Sequence, residues 1–146
     1  MKVNPVPEGF HSVTPFLHVE DAVNLINFLV HAFDARVRHT TTLADGSLIN
    51  ANLIIGDSII EISQVRGDFQ PMPAALHLYV EDVDSLYQKA VELGGLSVAE
   101  PADQLYGDRE AFIIDPAGNH WYLATRIENL STEEINRRMN QLDSQF

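Results

Sequence analysis

The chain has 146 residues, 45% of them hydrophobic, with Lys plus Arg at 9 against Asp plus Glu at 21 and a formal charge of −12. That is enough apolar chain for a packed core, and its field repels phosphate backbones and anionic lipid, so neither nucleic acid nor a membrane is an expected partner. Without cysteine there is no disulfide, thiolate metal site or Cys nucleophile. The opening MKVNPVPEGFHS has no apolar signal-peptide region and 18 apolar residues never run together, so the expected compartment is the cytoplasm.

Val13 to Val19 alternates β-branched and aromatic residues and predicts a strand. Asp21 stands where a helix N-cap belongs, and Ala22, Leu25, Leu29 and Ala32 recur at helical spacing up to Phe33-Asp34. RVRHTTTL, SLINANLIIG and IIEISQV follow as three strands, separated by Asp45-Gly46 and Asp57-Ser58. The unit reads βαβββ. Arg66 to Pro73, with two prolines, reads as a linker.

The same pattern then recurs at an ungapped offset of 61 residues. Leu17 to Val37 lies over Leu78 to Val98, with Val19-Glu20-Asp21 matching Val80-Glu81-Asp82. Asp82 caps a second helix whose stripe is Val83, Leu86, Ala90 and Leu93 and whose stop is Gly94-Gly95. LSVAEP, EAFIID and HWYLATR are its strands, the last two joined through Asp115-Pro116-Ala117-Gly118-Asn119. A half that cannot bury its own apolar face packs against its copy, so residues 13–65 and 74–126 are expected to be two units of one domain, 1–146. In the tail, 127–146, Ser131-Thr132-Glu133-Glu134 is a capping box opening a helix with Ile135, Met139, Leu142 and Phe146 on one face.

No G-x-S-x-G elbow, Walker loop, G-x-G-x-x-G or H-E-x-x-H occurs. Strand alternation puts Thr14, Phe16 and His18 on one face; their copies are Ala75, His77 and Tyr79. Glu61 is paired by the same shift with Tyr122. Thr14, Glu61, Ala75 and Tyr122 are therefore four equivalent inward positions, two per unit.

Tandem βαβββ units with Val-Glu-Asp at each first helix, and Asp-Pro-x-Gly-Asn before the last strand, resemble the vicinal oxygen chelate superfamily of glyoxalases, bleomycin-resistance proteins and extradiol dioxygenases. The match is closer to an uncharacterised glyoxalase-like branch and runs from about Pro7 to Arg138. The resemblance implies an α+β fold in which the two units form a split, cupped mixed sheet, with a C-terminal helix added. It also implies a metal at the four equivalent positions in the enzymes, where His or Glu supplies the ligands. Here only Glu61 is of that type, so the expectation is no cofactor and no metal, with a divalent ion held by Glu61 with His77 or His18 as the alternative.

The expected function is a small-molecule-binding protein, a homodimer, with a metal-dependent lyase, isomerase or dioxygenase as the alternative. Glu61, in the apolar strand IIEI, is the one residue offered for catalysis, as a general base, and also as an anchor for a cation. Phe16, His18, His77, Tyr79, His120 and Tyr122 are expected to line the ligand cavity. Tyr106, from the string Tyr106-Gly107-Asp108-Arg109, is expected to join these aromatics in sandwiching the ligand, with Arg109 at the cavity lip or on the surface.

Overall fold

The computed structural model describes residues 2–143. Its elements run β1 (Phe16–Val19), α1 (Ala22–Phe33), β2 (Arg36–Thr42), β3 (Leu48–Ile55), β4 (Ser58–Gln64), β5 (Ala75–Tyr79), α2 (Val83–Glu92), β6 (Leu96–Asp103), β7 (Asp108–Ile114), β8 (His120–Arg126) and α3 (Thr132–Asp143). They form two compact units, one running to Ala74 and including Pro116–Gly118, the other built from Ala75–Asp115 and the residues from Asn119 on. Each unit is βαβββ with one four-stranded sheet, ordered β1-β4-β3-β2 in the first and β5-β8-β7-β6 in the second. The α+β architecture and the C-terminal helix are those the sequence predicts.

In the first unit Asp21 Oδ1 accepts from Asn24 N at 3.1 Å, satisfying one of the free donors of the opening turn. Ala22, Leu25, Leu29 and Ala32 are fully buried, together with Leu17, Ala51, Leu53 and Ile62 of the strands. These strand residues are one alternate half of each strand, so α1 covers one face of the sheet. Asp34 ends the helix in the left-handed region at φ 53°. Its neighbour Ala35 donates to Leu29 O at 3.1 Å.

The second unit repeats these devices. Asp82 Oδ1 accepts from Ser85 N at 3.1 Å, and the core holds Val83, Ala90, Ala111, Ile113, Trp121 and Leu123. Leu93 lies past the end of α2 and is exposed. Gly95 is needed by close approach, since a Cβ there would sit 2.9 Å from Ala90 O, to which its own amide bonds.

The helix of each unit is also tied to the last strand of that unit. Gln64 Oε1 accepts from Ala22 N at 2.9 Å, and its Nε2 donates to Glu20 O. Thr125, one repeat later, accepts from Val83 N at 2.9 Å and donates to Val80 O at 2.8 Å. In both units a polar side chain satisfies the first helical amide and sets the helix start against its sheet.

Two expectations need correction. Residues 66–73 are more than a linker: Met72 N donates to His18 O at 3.1 Å in an antiparallel bridge, so this segment runs back along β1. Thr14 precedes β1 rather than lying within it. At the other end, Ser131 Oγ caps α3 by accepting from Glu134 N at 3.2 Å. Arg138 then holds α3 to its unit, with NH1 and NH2 on the Glu128 carboxylate, both at 3.0 Å, and NH1 also 3.3 Å from Leu105 O. Met139 and Leu142 of the expected apolar face are exposed, and Phe146 falls outside the described residues.

Candidate functional site

One face of each sheet is taken by a helix; the polar and aromatic side chains of interest alternate onto the other. In the first unit Phe16 is opposite Glu61 and His18 opposite Ser63 across the parallel β1–β4 pair, and Asn52 is opposite Glu61 across β3–β4. Ile60 and Ile62 beside Glu61 are buried, while Glu61, alternating onto the face opposite them, is only partly so. Phe16 and His18 rings lie 4.5 Å apart. Asn52 Oδ1 is buried on this face without a hydrogen-bond partner among the described residues.

Beside Phe16 and His18 is a pocket of ≈ 340 Å³ whose wall continues through Ile49, Ser63, Arg66 and Phe69. Arg66 and Phe69 belong to the segment bridged to β1 through Met72, so that segment forms the pocket's far side. Phe69, 74% exposed, has little structural duty there. Nothing in the periodicity of 66–73 marks it as part of a site.

In the second unit, β8 lies between β5 and β7. Its register produces three cross-sheet rows on the helix-free face: Ala75–His120–Ile114, His77–Tyr122–Phe112 and Tyr79–Ala124–Glu110. Phe112 and Tyr122 stack at 4.4 Å and 13°, with His120 5.4 Å from Phe112 and His77 4.6 Å from Tyr79. Ala124, fully buried, has only a methyl between the flanking strands β5 and β7, and longer side chains meet above it. His77 Nε2 lies 3.5 Å from Glu110 Oε2, and Tyr79 Oη donates to Asp108 Oδ2 at 2.7 Å.

The phenols are tuned by these neighbours. The hydrogen bond to Asp108 raises the Tyr79 pKa above its ordinary value, with burial adding to the effect. Burial first, and then a hydrogen bond to Glu110, push Tyr106 up to about 12. Both therefore remain proton donors to a carboxylate throughout the physiological range.

His77, Tyr79, His120 and Tyr122 thus share one face of the second unit, with Tyr106 joined to them through Glu110; Phe16, His18 and Glu61 share one face of the first. Arg109 does not join them. Its odd position turns it to the helix side, where Nε and NH2 bind both oxygens of Asp84 at 2.7 and 2.8 Å and NH1 binds Asp103 at 2.9 Å. In the same string Gly107 has φ +96°, and a Cβ would lie 3.0 Å from Glu128 O. Asp108 and Glu110 were missed as site residues by sequence reasoning. Their alternation with Ala111 and Ile113 was the available signal.

The four positions at which the resemblance implies a metal do not fit one. Ala75 has no donor atom, Tyr122 is committed to its stack on Phe112, and Thr14 offers a neutral hydroxyl, leaving Glu61 as the one carboxylate. A catalytic divalent ion takes about three protein ligands. No metal-dependent step is assigned to them.

The matching family model is the glyoxalase/bleomycin resistance protein/dioxygenase superfamily, over residues 9–123. The chain belongs to that superfamily. It is similar to uncharacterised proteins of Mycobacterium bovis and Mycobacterium tuberculosis, each 34% identical over 151 residues that cover 96% of this chain and 97% or 86% of the relative. Among solved structures it resembles TioX from Micromonospora sp. ML1, with a TM-score of 0.67 at 19% identity over 83% of this chain and 100% of that one. A glyoxalase-related enzyme from Fulvimarina pelagi gives 0.65 at 16% identity over 79% and 87%. At such identities the structural likeness speaks for the fold.

Proposed function

We propose that the chain is a small-molecule-binding member of this superfamily, with an organic ligand seated in the pocket of the first unit. The observation that carries the reading is the ≈ 340 Å³ pocket, in which the rings of Phe16, His18 and Phe69 provide flat apolar surface and Ser63 and Arg66 provide polar groups. Its volume is that of a site for a compact organic molecule. Two further observations support it. Asn52 Oδ1, on the same sheet face but outside the pocket wall, is a buried acceptor without a donor among the described residues, a deficit of about 1–3 kcal/mol that a ligand N–H or O–H reaching past Phe16 would remove. Glu61 next to it, outside the pocket wall, adds to the field of a chain at −12, which steers cationic ligands toward the protein at low salt, while Arg66 is the charged group in the pocket wall itself.

A thermal-shift screen of cationic aromatics, neutral aromatics and small dicarbonyls tests the reading, followed by titrations on variants. Phe69→Ala removes one exposed ring and is expected to leave the unfolding temperature in place while weakening the best ligand roughly fivefold to tenfold. Glu61→Gln keeps shape and removes a negative charge beside Phe16, so it should weaken a cationic ligand while sparing neutral ones. If only dicarbonyls stabilise the fold, or Phe69→Ala leaves every affinity unchanged, the proposal fails.

A further inference from the structure

The second unit carries a cluster that the pocket reading does not use. One ligating atom from each of His77, Asp108 and Glu110 lies within 4.8 Å of the other two. We propose that these three residues bind a divalent first-row transition-metal ion on the helix-free face of β5, β8 and β7, at a place separate from the four equivalent positions.

The spacing suits an ion. Two ligands at about 2.1 Å from one metal, at a tetrahedral angle, stand roughly 3.4 Å apart. His77 Nε2 and Glu110 Oε2 are 3.5 Å apart. The remaining gaps in the trio are within 4.8 Å, so a small side-chain rotation brings all three atoms onto one ion. One imidazole nitrogen with two carboxylates is a borderline-hard donor set, suited to Zn²⁺, Mn²⁺ or Fe²⁺.

Charge points the same way. Among the described residues neither Asp108 nor Glu110 pairs with a lysine or arginine. Arg109 between them is turned to the helix side and spent on Asp84 and Asp103. Arg126, opposite Asp108 across β7–β8, sends its Nε to Glu128 O. Two converging carboxylates, one of them on a residue only 5% exposed, therefore form no salt bridge to a lysine or arginine among the described residues.

Each carboxylate also has a phenol of its own. Tyr79 donates to Asp108 and Tyr106 to Glu110, the kind of outer hydrogen bonding that orients metal-ligating carboxylates. Ala124 beneath leaves room above its methyl, and the side chains of His77 and Glu110 remain 43% and 17% exposed, so an ion could enter and keep open coordination positions. In the first unit the matching strand positions are Phe16, Leu48 and Asn50, which include neither an imidazole nor a carboxylate. The set is peculiar to the second unit and is not inherited from the repeat.

The test uses the full chain, stripped with EDTA and dialysed, then titrated calorimetrically with Zn²⁺ and Mn²⁺ and spectroscopically with Co²⁺. The expected result is one ion per chain and Co²⁺ d–d absorption. His77→Ala and Glu110→Gln should each weaken binding at least tenfold, Tyr79→Phe and Tyr106→Phe by roughly tenfold, and Glu61→Gln not at all. Circular dichroism confirms that each variant is folded; His77 and Glu110 are accessible enough to be replaced without opening the core. Absence of binding at millimolar ion, or binding that His77→Ala and Glu110→Gln leave unchanged, overturns the site. Because the organic pocket lies in the other unit and is tested by Phe69→Ala, either proposal can fail without the other.

Discussion

Asp115→Ala is the sharpest test of how the second unit closes its β7–β8 turn. Asp115 closes the β7–β8 turn: its Oδ1 accepts from Asn119 N at 2.9 Å, and its Oδ2 accepts from Asn119 Nδ2 at 3.0 Å and Trp121 Nε1 at 2.8 Å. The three residues are 4%, 0% and 2% exposed, so water cannot easily replace the lost acceptor. Each buried hydrogen bond lost without replacement costs about 1–3 kcal/mol, and with the two side-chain bonds to Asp115 removed and partial relief at the turn amide the expected loss is about 3–5 kcal/mol. For a chain of this size that lowers the unfolding midpoint by about 10 °C. Trp121 is the chain's one tryptophan, so guanidinium unfolding followed by its fluorescence reads the affected place directly. The midpoint should fall with the slope unchanged. Asp115→Asn, which keeps one acceptor oxygen, should lose about half as much. The turn also sets the register that stacks Tyr122 on Phe112 and puts Glu110 beside Ala124, so a destabilised turn should weaken ion binding as well. A loss below about 1 kcal/mol for Asp115→Ala would show that the bonds are made equally well by water and would refute the argument.

Alkaline titration of phenolate absorbance should show late-titrating tyrosines that Tyr79→Phe and Tyr106→Phe remove one at a time. Because the folded pKa of Tyr106 is raised, to about 12 from 10.0, its contribution to stability is complete below about 10 and is lost as pH rises through about 12; an unchanged titration in Tyr106→Phe contradicts this. The chain is expected to be a homodimer by light scattering, since the edge strands β2 and β6 are exposed along most of their lengths and Leu96, Val98 and Val37 are at least 46% exposed. A monomer at micromolar concentration removes that expectation.

Much of the fold is legible without coordinates because its signals are local. Asp21 and Asp82 cap their helices where spacing puts them, alternation in IIEISQV sets Glu61 on the opposite face from Ile60 and Ile62, and the 61-residue repeat anticipates two βαβββ units. Even the helix-side position of Arg109 is a matter of parity, although its pairing with Asp84 is not. What only the tertiary structure decides is which side chains on a face meet. His77, Ala124 and Glu110 lie far apart in sequence, and they converge because β8 is placed between β5 and β7 in one register; a shift of one residue would turn Glu110 to the helix side. The same holds for Phe69, which lines a pocket because Met72 bridges to His18. Periodicity is a property of neighbouring residues and can be read from the chain. A site is a coincidence of distant ones, set by strand order and register, and it exists only once the sheet has formed.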